Sequence, residues 1–320
     1  MFRAIKSIPP VACIAAASCS WLSPSQPPPP TDAEQQAAYD EFVAQKQAEQ
    51  AEAQRPEFDC PEGMVYVPGS TAPQVAPFCI DRTEVTVAQY AACVQAGTCS
   101  DIPLTGTKDE DGDGKNDFTS GQVELWEQWC NGAKQDERSN HPMNCVFWAD
   151  AVAYCKQADR ALPTETHWLW AANGAKASPF SKYAWGDDSP GPEDACWSGG
   201  GTMRQSTCPV GSVPHDATKQ GALDMTGNVP EWTSTPMDIA GNPADDGPRR
   251  IVHGGGWTAM DPGFMHIGKR KGGPGPVLSE FEGTTVVKTD RRNLDIRGVA
   301  LNEDGRCSGI GFRCVWVPER

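Results

Sequence analysis

The sequence predicts a mixed α+β fold with little regular secondary structure, stabilised by disulfide bonds. Glycine (32) and proline (28) are frequent among the 320 residues, which favours long loops over a helical bundle. In the main body of the chain only three short segments show helical periodicity, and the β-prone stretches between them are short as well. The thirteen cysteines are natural for an exported protein and unusual for one kept in a reducing cytosol.

The charge balance argues against nucleic-acid binding. Lys and Arg number 27 against 42 Asp and Glu, which gives a formal net charge of −15. A chain this acidic repels phosphate backbones, and no stripe of basic residues stands out. Hydrophobic residues make up 38% of the chain, enough for a packed core. No stretch reaches the ~18 consecutive apolar residues of a membrane-spanning helix.

The first 18 residues predict an export signal. Two basic residues precede a short apolar stretch, which ends in small residues directly before Cys19. This arrangement resembles the lipobox of bacterial lipoproteins, with Ala16 in place of the usual leucine. We therefore expect a lipoprotein signal peptide over residues 1–18 and a lipid on Cys19, with Cys13 as a second candidate and an ordinary cleaved signal peptide as the alternative. In lipoprotein sorting, Ser20 favours the outer membrane.

Two segments separate this signal from the rest of the chain. Residues 19–30 predict an extended Pro-rich linker. Residues 31–56 predict a solvated helical stalk, because Thr31 and Glu34 have the spacing of a capping box and good helix formers follow. Its apolar residues are too few for a core-facing stripe. The stalk would hold residues 57–320 away from the membrane; a partner-binding helix is the alternative.

Residues 57–320 alternate short elements with long loops. A capping-box pattern at Thr86 begins a first helix. A second helix is expected over residues 148–159 and a third over residues 164–172. The β-prone segments include residues 64–67, 250–253 and 312–317.

Several motifs follow one another in this region in a specific order. They are Val-Tyr-Val-Pro-Gly (65–69), Asp-Arg-Thr-Glu-Val-Thr (81–86), His-Pro-Met-Asn-Cys-Val (141–146), Ala-Tyr-Cys (153–155), Arg-Ala-Leu-Pro-Thr-Glu (160–165), Gly-Asn-Val-Pro-Glu-Trp (227–232), Gly-Gly-Gly-Trp (254–257) and Gly-Phe-Arg-Cys (311–314). The ordered set resembles the formylglycine-generating enzyme (sulfatase-modifying factor) family over about four-fifths of the chain, from Cys60 onwards. The resemblance implies a single compact α+β domain with a C-type-lectin-like fold.

The resemblance also implies an oxidase whose metal ligands this chain lacks. Enzymes of the family oxidise a cysteine of a client sulfatase to formylglycine, using oxygen and copper(I) held by two cysteines. Paired soft thiolates suit copper(I). Aligned on the glycines at 254–256, the two positions are occupied by Ala259 and Phe264, and no cysteine lies between Cys208 and Cys307. Copper is therefore not expected as a cofactor.

The resemblance implies one disulfide, and together with proximity along the chain it suggests four more. In the family the cysteine of the last motif bonds to the one in the Ala-Tyr-Cys motif, which gives Cys155–Cys314. This bond would close a very long loop and contribute about 3–5 kcal/mol in the chain-entropy model. Spacing alone does not fix the other connectivities. The suggested pairs are Cys60–Cys79, Cys93–Cys99, Cys130–Cys145 and Cys196–Cys208. Cys307 is left over as a free thiol, an intermolecular link or a buried inert residue.

One acidic turn matches a calcium loop of the family. The resemblance implies that the side chains of Asp224 and Glu231 and the carbonyls of Gly227 and Val229 are the ligands. Hard oxygen donors of this kind suit calcium. The alternative is an acid-capped turn without metal.

A second acidic segment follows the pattern of EF-hand-type loops. Asp109, Asp111, Asp113 and Asp117 occupy the first, third, fifth and ninth positions of such a loop. Ser120 stands where the closing glutamate would be. We expect either a calcium site or a plain solvated acidic loop.

The sequence leaves two classes of function open. The first is a non-catalytic domain, lipid-anchored on the bacterial cell envelope, that binds a peptide, protein or glycan and uses Trp257 and Phe264 as groove walls. Its membrane contact would be the N-terminal lipid, and nucleic acid would not be a partner. The second is an active oxidoreductase of the sulfatase-modifying type, or an enzyme with another metal set such as His253 and His266.

Overall fold

The computed structural model describes residues 56–105, 120–237, 249–268 and 309–318, together with single positions at 37, 41, 45, 112 and 115. The chain divides into two compact units, residues 1–55 and residues 56–320. In the first unit, Ala37, Glu41 and Gln45 are helical and exposed, in the stretch where a helical stalk is expected.

Several predicted features lie outside the described residues and stay predictions. They are the signal peptide at 1–18, the lipidated Cys19, the linker at 19–30, the EF-hand-like Asp109, Asp111, Asp113 and Asp117, and Cys307. In the part of the chain that is described, every helix is too short or too polar to cross a bilayer.

The described residues of the second unit form seven short strands in three antiparallel sheets. The strands are β1 (Met64–Val67), β2 (Ser70–Thr71), β3 (Gln74–Val75), β4 (Phe78–Asp81), β5 (Glu231–Met237), β6 (Arg249–His253) and β7 (Val315–Trp316). The central sheet has the order β1-β4-β7, and β2–β3 and β5–β6 form two-stranded sheets. All four residues of β4 are buried, as expected for the middle strand of a covered sheet.

Five α-helices and two 3₁₀ turns complete the described elements. The helices are α1 (Val87–Gln95), α2 (Ile102–Thr105), α3 (Ser120–Trp129), α4 (Trp148–Gln157) and α5 (Glu165–Ala172), and the turns are Asn131–Lys134 and Pro262–Met265. Helices α1, α4 and α5 match the three predicted helices. The predicted caps are present, since Gln89 N donates to Thr86 Oγ1 at 3.2 Å and His167 N donates to Thr164 Oγ1 at 3.1 Å.

Two large apolar clusters hold these elements together. The first joins α1 and α4 to the C-terminal motif and includes Tyr90, Ala151 and Phe312. The second joins the central sheet to α5 and includes Ile80 and Trp168. Burying each large side chain of this kind contributes about 1.5–3 kcal/mol, so the two clusters supply much of the stability of a domain with short strands.

Five disulfides fasten the loops to this core, and they join the pairs suggested by the sequence. The pairs are Cys60–Cys79, Cys93–Cys99, Cys130–Cys145, Cys155–Cys314 and Cys196–Cys208. Cys155–Cys314 spans 159 residues and ties α4 to the segment that enters β7. Every cysteine among the described residues is therefore in a disulfide.

Candidate functional site

The segment after β6 is where the family resemblance places the copper ligands. Gly254 has a φ of +80°, and a Cβ on Gly255 would lie 2.3 Å from the Thr226 carbonyl oxygen. This close approach lets Gly255 N donate to Thr226 O at 2.8 Å, and Trp257 N donates to Asn228 O at 2.7 Å. The glycine loop is thus held against the turn that precedes β5.

Ala259 and Phe264 are packed as hydrocarbon rather than arranged as metal ligands. Ala259 is 8% exposed, and Ser198 N donates to its carbonyl oxygen at 2.9 Å. Phe264 is partly buried. Both belong to one apolar cluster with Tyr183, Ala195, Trp197, Met265 and Trp185. A methyl group and a benzyl group cannot bind a soft metal, so the residues at these positions do not fit copper(I).

The cysteines packed near Trp257 are not a substitute pair. Cys196 and Cys208 form a disulfide that packs in one cluster with Val213 and Trp257. A disulfide offers no thiolate, which is the form of cysteine that binds copper.

The position of Trp257 differs from the expectation that it lines an open groove. Its side chain is 1% exposed, and its ring lies 5.6 Å from the ring of Trp129, measured between centroids. The Cys196–Cys208 disulfide packs in the same cluster. Trp257 is therefore packed beneath the surface and does not line an open groove, whereas Phe264 is partly exposed.

His253 and His266 face different neighbours in the described structure. His253 is fully buried, with Nε2 3.0 Å from Glu165 Oε1 and its ring stacked on Trp168 at 5.1 Å. His266 instead meets the edge of the Tyr183 ring at 5.3 Å. Within the described residues no three His, Cys, Asp or Glu side chains are grouped to bind a metal. The hypothesis of a metal set built on these two histidines gains no support.

The domain contains a cluster of four buried carboxylates. Glu84 and Asp216 are each 1% exposed, Asp224 is 2% exposed and Glu231 is fully buried. The guanidinium of Arg313 is fully buried beside them. Two of these acids, Asp224 and Glu231, were predicted as calcium ligands, and the structure places both in this cluster.

The Glu231 carboxylate is fully engaged by two side chains. Arg313 Nε donates to Oε1 and Oε2 at 3.0 and 2.8 Å, and Arg313 Nη2 donates to Oε1 at 2.7 Å. Trp168 Nε1 donates to Oε2 at 2.9 Å. Three N–H groups therefore donate to this carboxylate, because the single Nε–H of Arg313 is shared between both oxygens. The calcium role that the resemblance implies for Glu231 stays a prediction.

The negative charge of the neighbouring carboxylates raises the pKa of Arg313. Burial alone would lower this pKa, but Glu231, and then Glu84 and Asp224, raise it above the ordinary value for arginine. Arg313 is therefore a permanent cation here. Its remaining hydrogen bonds go to backbone carbonyls, including Leu223 O at 2.9 Å.

Asp224 and Asp216 are tied to the loop backbone. Gly211 N donates to Asp224 Oδ2 at 2.6 Å, and Asp216 Oδ2 accepts from Gly227 N at 3.0 Å. Burial, followed by the negative charge of Asp224, raises the pKa of Asp216 to about 7. Burial likewise raises the pKa of Asp224. Both acids are thus held in place by backbone hydrogen bonds.

Glu84 is a buried acid of this cluster that the sequence reasoning missed. Its side chain is 1% exposed, and neither of its oxygens has a hydrogen-bond partner among the described residues. Burial, followed by the charge of Asp224, raises the pKa of Glu84 well above its ordinary value. An acid placed directly before the buried Val85 was the available signal, since ionised side chains are rarely fully buried without a partner.

Comparisons with known proteins agree with this fold. The family model of the "Sulfatase-modifying factor enzyme 1-like domain" matches residues 42–317. The chain is 36% identical over 285 residues to the formylglycine-generating enzyme of Mycobacterium tuberculosis, which covers 76% of this chain and 89% of that protein.

Two further similarities are more limited. Hercynine oxygenase of Mycobacterium tuberculosis is 32% identical over 146 residues, covering 42% of this chain and 33% of that protein. The solved structure of CarF aligns with a TM-score of 0.50 at 20% identity, covering 81% of this chain and 99% of that chain. The likeness to CarF concerns the fold alone.

Proposed function

Since the chain belongs to the sulfatase-modifying factor, or formylglycine-generating enzyme, family, we propose that it is a non-catalytic member that binds a peptide or protein at the cell envelope. Its scaffold would be retained for recognition, and the region where the family holds copper would be the binding surface.

The observation that carries this proposal is the identity of the residues at the copper positions. Ala259 and Phe264 supply hydrocarbon where two anionic sulfur ligands are needed. All the described cysteines are in disulfides, so no described thiol is available to replace the pair. The fold is kept while the cysteine pair is absent from these two positions, and this combination favours binding over oxidation.

Exposed apolar side chains lie on the loops next to Ala259. Met260 is 45% exposed and Met203 is 41% exposed. Met203 N donates to Ser198 O at 3.3 Å, and Ser198 N donates in turn to Ala259 O at 2.9 Å, which joins the loop of Met203 to that of Met260. Exposed apolar side chains on adjoining loops are typical of a binding surface.

Acidic residues on these loops favour a ligand with basic groups. Asp187, Asp188 and Asp261 are all exposed. Such residues would attract lysine and arginine side chains and repel anionic glycans. Charge complementarity therefore supports a basic peptide or protein segment as the ligand.

Envelope anchoring is supported by the N-terminal sequence and by the disulfides. Cys19 follows a short apolar stretch in the manner of a lipobox, and a linker and stalk separate it from the domain. Five disulfides are consistent with an oxidising compartment.

The alternative is an active oxidoreductase of the sulfatase-modifying type. The 36% identity to a formylglycine-generating enzyme over most of both chains favours it. Such an enzyme would need a copper-binding pair other than the residues at 259 and 264.

Copper loading separates the two functions. The purified full chain and the double variant Ala259→Cys/Phe264→Cys are loaded with copper(I) and dialysed against a competing chelator, with Ala259→Ser/Phe264→Ser as the matched control. We expect copper to remain only on the cysteine variant, because only that protein has paired thiolates. Stoichiometric copper on the natural chain, together with aldehyde formation on a cysteine-containing client peptide, would overturn the proposal.

A further inference from the structure

The methionines whose side chains the structure describes fall into two groups by exposure. Met203 is 41% exposed and Met260 is 45% exposed. The others are buried and at most 7% exposed, and they are Met64, Met143, Met225 and Met265. An oxidant in solution reaches exposed thioethers first, so the two groups should differ in reactivity. Every described cysteine is in a disulfide, so no described thiol competes with the methionines for an oxidant.

Met203 is held at the surface by a closed loop. Its φ of +46° lies in the left-handed region, which long side chains rarely adopt. The Cys196–Cys208 disulfide closes this loop, and inside it Thr202 Oγ1 donates to Trp197 O at 2.9 Å. A strained backbone persists only where its surroundings maintain it, and such conformations cluster at functional sites. The loop thus presents the Met203 side chain at a fixed position.

Met260 lies on a second loop that is hydrogen-bonded to the first. Met203 N donates to Ser198 O at 3.3 Å, and Ser198 N donates to Ala259 O at 2.9 Å, directly before Met260. Both thioethers therefore belong to the proposed binding surface. Methionine suits contacts of this kind because its side chain is flexible and polarisable.

We infer that Met203 and Met260 form a peroxide-sensitive modification site, and that their oxidation to sulfoxides weakens binding at this surface; the second part rests on the proposed function. A lone pair of the thioether sulfur attacks the terminal oxygen of a hydroperoxide, so that an S–O bond forms and the O–O bond breaks. The sulfur is oxidised by two electrons and the peroxide is reduced. The proton of the transferred oxygen passes to the departing oxygen, which leaves as water or an alcohol.

Oxidation changes the chemical character of the surface. A sulfoxide is polar and chiral, whereas a thioether is an apolar contact group. A ligand that covers the sulfoxide removes a polar group from water without supplying a matched hydrogen bond, which is unfavourable. The core should not change, because the buried methionines stay reduced.

Graded treatment of the full chain with hydrogen peroxide tests the modification site. The treated protein is digested, and the added oxygen is located by peptide mass spectrometry. We expect Met203 and Met260 to be oxidised at least about tenfold faster than Met143 and Met225, because the latter two are fully buried. The rates should converge when the chain is unfolded in urea. Equal rates in the folded protein would overturn the inference.

Binding measured before and after treatment tests the consequence. The probe is a synthetic peptide of alternating lysine and leucine, which offers basic and apolar groups together. We expect the affinity of the natural chain to fall at least about fivefold on oxidation. Met203→Leu/Met260→Leu is the matched control. The ratio of its affinities before and after treatment should stay close to one, whatever its starting affinity, because leucine has no thioether to oxidise.

The outcomes separate this inference from the proposed function. An unchanged affinity of the oxidised natural chain, or an equal fall in the leucine variant, contradicts the effect on binding. Failure of the untreated chain to bind the peptide contradicts the proposed function and, with it, that effect. The modification site itself is decided by mass spectrometry in every case.

Discussion

Glu231 and Arg313, 82 residues apart in the chain, form an ion pair in which both side chains are completely buried and Nη2 lies 2.7 Å from Oε1. The pair joins the start of β5 to the segment that enters β7. A buried pair is not by itself strong evidence of stabilisation, but removing one partner leaves the other charge uncompensated. Glu231 thus belongs to the scaffold of the domain.

Replacing Arg313 by methionine tests this role. We expect Arg313→Met to lower the free energy of unfolding by about 3–5 kcal/mol, because it leaves Glu231 buried without its cation. Urea denaturation followed by tryptophan fluorescence measures the loss. Glu193→Gln, which removes an exposed ion pair with Arg204, is the control and should change the stability by no more than about 1 kcal/mol. Equal losses in the two variants would contradict the prediction.

The disulfides should differ in their contribution according to the loop that each one closes. Cys155–Cys314 spans 159 residues, whereas Cys93–Cys99 spans 6. The chain-entropy model gives about 5 kcal/mol for the long loop and about 2 kcal/mol for the short one. We therefore expect the double alanine variant of the first pair to be the less stable in thermal or chemical unfolding. A larger loss from the short loop would show that local strain or packing decides instead.

His141 should make stability depend on pH in acid. Its Nδ1 lies 2.8 Å from Thr207 Oγ1, and burial, followed by the charge of Arg138, lowers its pKa to about 4. The folded state therefore disfavours the charged form, whereas the unfolded chain takes up a proton near pH 6.5. The stabilisation is fully present above about pH 6.5 and is lost as the pH falls towards about 4.

The variant His141→Asn isolates this contribution. We expect the difference in unfolding free energy between the natural chain and the variant to be constant near neutral pH and to shrink between about pH 6.5 and 4. Denaturation curves at several pH values measure it. A difference that stays the same over this range would mean that His141 does not titrate as the structure implies.

Gly255 should not tolerate even the smallest side chain. A Cβ at this position would lie 2.3 Å from Thr226 O and 2.9 Å from Met265 Cγ. We expect Gly255→Ala to destabilise the protein by about 1–3 kcal/mol, because overpacking forces the two loops apart. Gly268→Ala is the matched control, since nothing lies within 4 Å of its added Cβ. The prediction fails if both variants unfold at the same denaturant concentration.

The sequence predicted the scaffold better than the details of its strands. Helix α4 ends at Gln157, two residues before the predicted end at residue 159. The strand predicted over residues 312–317 is reduced to Val315–Trp316. The preceding residues make other contacts, because Arg313 pairs with Glu231 and Cys314 N donates to Asp81 Oδ2 at 2.7 Å. Secondary-structure propensities are local, so they do not predict these long-range contacts.

Several described elements were missed, three of them for identifiable reasons. Strand β5 contains Pro236 and has an irregular register between Trp232 and Pro236, which weakens a period-two pattern. Helix α2 is a single short turn of helix, and α3 begins in a stretch that was interpreted as an acidic loop. Short or weakly amphipathic helices leave little periodicity to detect.

The candidate site was predictable only where it depends on residue identity. The absence of a cysteine pair at Ala259 and Phe264 is a property of the sequence itself. The pairing of Glu231 with Arg313 and the hydrogen bond from Trp168 to Glu231 join positions far apart in the chain. Such contacts are set by tertiary packing, so a linear motif assigns ligands without showing which of them are already occupied.

The C-terminal position of β7 has a consequence for biosynthesis. Strand β4 pairs with β7, Cys155 bonds to Cys314 and Glu231 is neutralised by Arg313, so three interactions of the domain require residues 313–316. The domain cannot complete its core while the ribosome is still translating these codons. A product terminated before residue 313 would leave all three partners unsatisfied, and we expect cellular proteases to remove it.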